Sequence, residues 1–111
     1  MNYNDLSEEE QIDAVIRHPS MIQYVDNPSE TVQLAAVRAN WWAIRFIKDP
    51  SETVQLAAVQ RSGLAIWSIP EPSEEVQLTA VRRTPYAIQY IRRPSDYLKA
   101  YAELLNLGES D

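Results

Sequence analysis

Apolar and polar residues follow one another in the same order several times along the chain. The segment PSETVQLAAV begins at Pro28 and recurs unchanged at Pro50, and the related segment PSEEVQLTAV begins at Pro72. Successive copies start 22 residues apart, and LSEEEQIDAV, which begins at Leu6, fits the same frame. The pattern predicts a single domain over 1–111 with four repeat units. The units are residues 6–27, 28–49, 50–71 and 72–93, and a C-terminal piece follows at 94–108.

Each unit carries the signals of two short helices. For the first helix we predict an N-cap at Asn27 or Asp49, a proline at the first helical position and a glutamate at the third. The second helix is expected to begin at a capping residue that is different in every unit. The four residues at this capping position are His18, Asn40, Ser62 and Thr84.

The first helix is predicted to be apolar on two faces. At about 100° per residue, Val32 and Ala36 share one face, whereas Leu34 and Val37 lie nearly opposite. A helix of this kind has to be packed between neighbours, and stacked units provide them. The predicted fold class is therefore all-α, an α-solenoid of short helix pairs in which residues 94–108 form a capping helix.

The fourth unit resembles a known type of repeat. Its segment PSEEVQLTAVRRTPYAIQYI, residues 72–91, is similar to the 22-residue two-helix repeats of uncharacterised bacterial and bacteriophage proteins, whose pattern is Asn-Pro-Ser-Glu-Glu-Val-Gln-Leu-Ala-Ala-Val. The resemblance covers about residues 6–98 and implies an α-solenoid of phage or bacterial origin, with no catalytic motif. For a phage protein it implies an inhibitor that binds a host immune component. The segments NWWAIRF and GLAIWSI depart most from the repeat pattern.

Composition narrows the function classes. The chain has no cysteine and one histidine, which excludes a disulfide framework and a metal site built from several histidine or cysteine ligands. We expect His18 to be a helix cap rather than a general base. No apolar run approaches the ~20 residues of a membrane span. We therefore predict a cytoplasmic protein that is not an enzyme, binds no cofactor or metal and has no membrane partner.

Glutamine occupies one position of the first helix in every unit, as Gln11, Gln33, Gln55 and Gln77. A row of amides could bind a repetitive ligand. The alternative is that each amide forms a hydrogen bond with the backbone at a tight turn, because buried polar groups are paired in folded proteins. We favour this second, structural interpretation.

Tryptophan interrupts the repeat at two positions of the second helix. Trp42 corresponds to Leu64 and Tyr86, and Trp67 stands where the other units carry polar residues. We expect equivalent positions to align in the stack, which would create an exposed aromatic surface for a protein partner. The alternative is that Trp67 turns inward and replaces the aromatic residue that Ser68 lacks. The predicted partner-binding residues are Trp41, Trp42, Arg45, Leu64, Trp67, Tyr86 and Gln89.

The net charge of −6 is distributed unevenly along the chain. Residues 1–30 carry seven acidic side chains and one basic one, whereas residues 81–99 carry five basic side chains and one acidic one. Two arginine pairs in the basic region could meet across a helix hairpin and bind a nucleic acid or a nucleotide. The two pairs are Arg82 with Arg83 and Arg92 with Arg93. The charge asymmetry also permits a monomer or a weak head-to-tail oligomer.

Overall fold

A computed structural model describes residues 2–109 of the chain, and the side chains of residues 2–106. Its regular elements over that range are all helical, which confirms the predicted all-α class. The five α-helices are α1 (Glu8–Arg17), α2 (Glu30–Ala39), α3 (Glu52–Arg61), α4 (Glu74–Arg83) and α5 (Asp96–Glu109). The five 3-10 helices are η1 (Tyr3–Asp5), η2 (Pro19–Tyr24), η3 (Trp41–Phe46), η4 (Gly63–Ser68) and η5 (Pro85–Tyr90).

The helices form two adjacent layers. Each α-helix contacts the α-helix that follows it in the sequence, from α1 to α5, and η2 to η5 contact one another in the same order. Within a unit the α-helix also contacts its own 3-10 helix. The α-helices begin 22 residues apart, so the molecule is elongated, with extents of 51 × 26 × 16 Å.

Serine, and not Asn27 or Asp49, caps the α-helices. The Ser29 side chain accepts a hydrogen bond from the backbone N–H of Val32 at 3.2 Å, and Ser7, Ser51 and Ser73 do the same in their units. The predicted caps are wrong because Asn27 and Asp49 instead have left-handed backbones, with φ of 49° and 50°. Asn and Asp tolerate this conformation better than most residues.

The glutamate at the start of an α-helix also has a different role from the predicted one. Among α1 to α4 only Glu10 reaches back to its own cap, where the backbone N–H of Ser7 donates to its carboxylate at 2.9 Å and lowers the pKa of that carboxyl. Glu30 instead accepts a hydrogen bond from the Ser51 hydroxyl of the next unit at 2.8 Å. Glu74 and Ser95 repeat this inter-unit contact at 3.3 Å.

The second helix of each unit is a six-residue 3-10 helix, which the sequence analysis treated as α-helical. Asn40 and Ser62 cap it, since their side chains accept from the backbone N–H two residues later. His18 and Thr84 stand at the same position without such a bond. The predicted side-chain cap is therefore wrong for these two residues, and the exposed His18 is only the residue before η2.

The core repeats with the sequence. In the α-helices the buried positions are held by valine and alanine, and in the 3-10 layer by alanine and isoleucine. Val37 occupies the same repeat position as Val15, Val59 and Val81, and all four are fully buried. In α5 the corresponding inward positions are Leu98 and Ala102, so this helix covers the face of α4 that a further unit would otherwise cover.

The repeated glutamines are structural, as the sequence analysis favoured. The side-chain amides of Gln33, Gln55 and Gln77 each donate to the carbonyl of the proline five residues earlier, at 2.9–3.0 Å. Gln11 donates to the carbonyl of Tyr3 at 3.1 Å and, at 3.5 Å, to the carbonyl of Leu6, which stands where the other three units have this proline. Each bond holds the segment before the α-helix against the helix itself.

Gly63 lies where two units approach most closely. Its N–H donates to the Thr84 hydroxyl at 2.9 Å, and a β-carbon added to it would lie 2.7 Å from the Thr84 β-carbon and still closer to the Ala80 carbonyl oxygen. The backbone of Gly63 is not in the left-handed region. Glycine is therefore required here for space and not for its conformational freedom.

We expect Gln55→Ala to lower the free energy of unfolding by about 1–3 kcal/mol, because it leaves the carbonyl of Pro50 without its donor. Chemical denaturation measures this loss. Gln60→Ala is the matched control, since Gln60 lies exposed on the same helix. Equal stabilities for the two variants would contradict the structural role of the repeated amide.

The substitution Gly63→Ala tests the close approach of η4 and α4, because the sign of the change in unfolding free energy depends on whether there is space for the added methyl group. Where space allows, Gly→Ala stabilises a protein by about 0.4–1 kcal/mol by reducing the entropy of the unfolded chain. Here we expect a loss of about 1–3 kcal/mol, because the added methyl group meets a backbone carbonyl that cannot rotate away. A higher melting temperature for the variant would contradict the contact.

Candidate partner-binding surface

The outer face of the 3-10 layer carries residues that depart from the repeat pattern. A 3-10 helix has three residues per turn, so Trp42 and Arg45 lie on one face of η3, and Leu64 and Trp67 lie on the same face of η4. Because η3, η4 and η5 lie side by side, these faces adjoin one another. We call this surface the aromatic row, and its members are Trp42, Arg45, Leu64, Trp67, Tyr86 and Gln89.

Trp42 is held in place while remaining accessible. The side chain is 44% exposed, the guanidinium carbon of Arg45 lies 4.3 Å from its ring centroid, and the Phe46 ring meets it edge-on at 5.4 Å. A guanidinium above an indole ring is attracted by the ring's π electrons. Arg45 and Phe46 therefore hold the ring in place, while part of its surface stays open to solvent.

Trp67 is the most exposed large apolar side chain among the described residues, at 77%. It stacks on Tyr90 of the next unit, with ring centroids 5.7 Å apart and planes 14° apart. The alternative that Trp67 turns inward is wrong, because its side chain is exposed while Ile66 and Ile69 of the same segment are buried.

The inward position predicted for the aromatic residues that correspond to Ser68 is wrong for two of the three. Tyr24 and Tyr90 are 55% and 40% exposed, whereas Phe46 is half-buried and packs against the core. Compared with Tyr24 and Tyr90, Ser68 removes a large side chain from the surface.

Trp41 does not belong to the aromatic row, although the sequence analysis included it. It is half-buried and packs against the core, as Phe46 does. The reason is the 3-10 geometry, which puts Trp41 on the same face as the buried residue Ile44, three positions later. Trp41 therefore offers less of its ring to a partner than Trp42 does, and its contact with a partner stays a prediction.

The four arginines of the alternative basic patch do not form one cluster. Arg82 and Arg83 lie at the C-terminal end of α4, whereas Arg92 and Arg93 follow η5, which runs back towards the start of that helix. At about 1.5 Å per residue, α4 separates the two pairs by most of its length. The predicted meeting across the hairpin is therefore wrong.

The two arginine pairs also have different surroundings. Arg82 donates from Nε to the Tyr101 hydroxyl at 3.1 Å, which raises the pKa of its guanidinium, and Arg83 donates from Nε to the carbonyl of Gln60 at 3.1 Å. Among the described residues the only ion pair joins Arg17 to Asp13. Arg92 and Arg93 thus have no carboxylate partner in the described part of the chain.

A groove of about 950 Å³ lies beside Trp67, between the end of η4 and the end of η5. Its walls include Trp67, Tyr90, Pro70, Arg92 and Arg93. The repeat pattern does not predict this groove. The one signal in the sequence is Pro70, which stands where the other three units carry charged residues.

Within residues 2–109 no group of three or more histidine, aspartate or glutamate side chains is arranged to hold a metal ion. None of the helices described is long and apolar enough to cross a membrane. Comparisons of the chain with protein families, with curated proteins and with solved structures find no match.

The loss of unfolding free energy on substitution distinguishes the exposed tryptophans from the one that packs on the core. We expect Trp41→Ala to cost about 2 kcal/mol of unfolding free energy, because it removes a ring packed on the core. Trp67→Ala should cost about 1 kcal/mol, the value of its stacking on Tyr90, and Trp42→Ala a similar amount. Denaturation of the three variants measures the order, and a larger loss for Trp67 than for Trp41 would contradict the surface position of Trp67.

Proposed function

We propose that the chain is a non-enzymatic α-solenoid that acts as a scaffold for binding another protein through its aromatic row. The observation that carries this proposal is the joint exposure of Trp42, Trp67 and Tyr86, the last of which is 56% exposed, on one face of the 3-10 layer. Monomeric proteins seldom leave several large apolar side chains together in water unless a partner covers them.

The chemistry of the row suits a protein partner. Tryptophan, tyrosine and arginine are the residues that most often dominate the binding energy of protein interfaces. A tryptophan ring buries a large area while fixing only two side-chain torsions, and Arg45 and Tyr90 already restrict the rings of Trp42 and Trp67. Little entropy is therefore lost when a partner covers them.

The resemblance to bacterial and bacteriophage repeats extends this proposal to a process. On that basis the chain is a phage protein in the cytoplasm of its host, and the partner is a component of host immunity. Inhibition would follow from occlusion, since a rigid elongated surface that covers a working site needs no chemistry of its own. This extension rests on the resemblance alone.

The competing function is nucleic-acid or nucleotide binding through the C-terminal arginines. Two observations disfavour it: the two arginine pairs are separated, and the whole chain carries a net charge of −6, which repels phosphates. A nucleic-acid complex would weaken steeply as salt increases, because binding releases counterions. A complex built on the aromatic row would respond much less.

The proposal is tested by isolating a bound protein from a nuclease-treated bacterial lysate and measuring its affinity for the wild-type chain and for three variants. We expect Trp42→Ala and Trp67→Ala each to lose about 2 kcal/mol or more of binding free energy. Leu104→Ala is the matched control, because Leu104 is also an exposed apolar residue, at 68%, but lies on α5, away from the row. Loss of the complex after nuclease treatment, or equal binding by all variants, would contradict the proposal.

A further inference from the structure

The departures from the repeat are concentrated at one place on the surface. In a stack of equivalent units, residues that serve the scaffold recur at every step, and residues that serve a specific ligand do not. Three of the five residues from Trp67 to Glu71 differ in kind from all their counterparts in the other units, namely Trp67, Ser68 and Pro70, and all five line the groove beside η4. The buried Ile69 keeps the apolar character of its position, and Glu71 is acidic like Asp49.

The substitutions themselves explain the groove. Ser68 replaces Tyr24, Phe46 and Tyr90, so a bulky ring is absent from the surface at that step. Trp67 replaces a polar or charged residue and supplies an aromatic wall instead. Pro70 replaces a charged residue, so this part of the wall is also apolar.

The connection after η4 differs from the first two connections as well. There the chain passes through Asn27 and Asp49 in the left-handed conformation. The equivalent Glu71 does not adopt it, so the segment that lines the groove follows another backbone path. The groove thus lies at a junction whose backbone differs from that of the first two junctions.

Two cations on the opposite side of the groove give it a charge preference. Arg92 and Arg93 line the groove, are exposed, and lie in the described part of the chain without a carboxylate partner. Guanidinium groups bind carboxylates through paired hydrogen bonds. A ligand that carries carboxylates near an aromatic or aliphatic group would satisfy the arginines and cover Trp67 together.

Glu71 distinguishes a peptide from a nucleic acid as the occupant. It stands in the wall of the same groove, where it would repel a continuous phosphate backbone. A peptide can direct its carboxylates to Arg92 and Arg93 and present its backbone N–H groups to Glu71. The net charge of −6 on the whole chain favours the same choice.

We propose that the groove between η4 and η5 binds an acidic peptide segment of the partner, with an apolar side chain of that segment on Trp67 and its carboxylates on Arg92 and Arg93. This inference rests on the proposed function and narrows it, since it states which chemistry the partner brings to one end of the aromatic row.

The test uses the full chain and a synthetic probe, the capped peptide Asp-Asp-Phe-Asp-Asp, followed by amide and indole N–H signals in NMR titrations. We expect shifts confined to the Trp67 indole and the backbone around Arg92 and Arg93, and none for the Lys-Lys-Phe-Lys-Lys counterpart. Adenosine monophosphate and a short oligothymidylate serve as phosphate probes. Tighter binding of either one in the groove, or no binding of the acidic peptide, would overturn the proposal.

Three variants separate the groove from the rest of the surface. Ser68→Tyr restores the residue type of the other units and should fill the groove without unfolding the chain, so peptide affinity should fall about tenfold or more. Arg92→Glu with Arg93→Glu should cause a loss at least as large. The matched control is Arg38→Glu with Arg61→Glu, which changes the net charge equally on the exposed ends of α2 and α3. Equal losses of peptide affinity in both double variants would show that the net charge of the chain, and not the groove, governs binding. That result would overturn the proposed site.

The same variants distinguish the two proposals. Trp42→Ala leaves the groove intact, and Ser68→Tyr leaves Trp42 and Arg45 unchanged. If the peptide fails to bind but Trp42→Ala still weakens the protein complex, the groove is wrong and the aromatic row stands. If Ser68→Tyr abolishes peptide binding and Trp42→Ala leaves the protein complex unaffected, the groove stands without the row.

Discussion

The structure depends on the burial of small apolar side chains between consecutive α-helices. Val37 and Ala36 of α2 are fully buried, as are their equivalents in α3 and α4, yet a single pair of helices is too thin to bury both sides of an α-helix. Alanine and valine allow the helices to approach closely, and neighbouring units supply the cover. Neighbouring units therefore stabilise one another. A substitution that disturbs one junction, such as a larger residue at Gly63, destabilises two units together.

The contrast between buried inner positions and outward positions explains how the outer surface can vary. The α layer and the inner faces of the 3-10 helices hold nearly all of the buried residues, so the outward positions of η3 to η5 contribute little to the core. Trp42 and Trp67 occupy such positions, where Arg45 and Phe46 contact the first ring and Tyr90 stacks on the second. A scaffold of this kind can acquire a binding surface by changing outward residues and a groove by changing one junction. The two proposals made above correspond to these two kinds of change.

The sequence predicts the helical class well, because apolar spacing and an unbroken 22-residue period are visible without any structure. It predicts local detail less well where two signals compete. Asn27 and Ser29 are both good capping residues, and only the left-handed backbone of Asn27 decides between them. The half-burial of Trp41 is not predictable from the sequence, because a six-residue helix gives too little periodicity to distinguish three residues per turn from 3.6. The exposure of Trp67 could be predicted, whereas the groove depends on the backbone path at Pro70 and Glu71, which residue types alone do not determine.

Removal of one complete unit tests the central claim, that equivalent units are buried by one another, most directly. Deletion of residues 28–49 joins Asn27 to Pro50, and the local sequence at the junction is unchanged because PSETVQLAAV follows in either case. The account predicts a folded, fully helical protein that is shorter by about 10 Å, the packing distance of one helix, with a radius of gyration below 15.6 Å in small-angle scattering. Deletion of residues 28–38 is the control, since it removes half a unit and should prevent folding. An unfolded or aggregated product of the 22-residue deletion, or equal behaviour of the two deletions, would contradict the account.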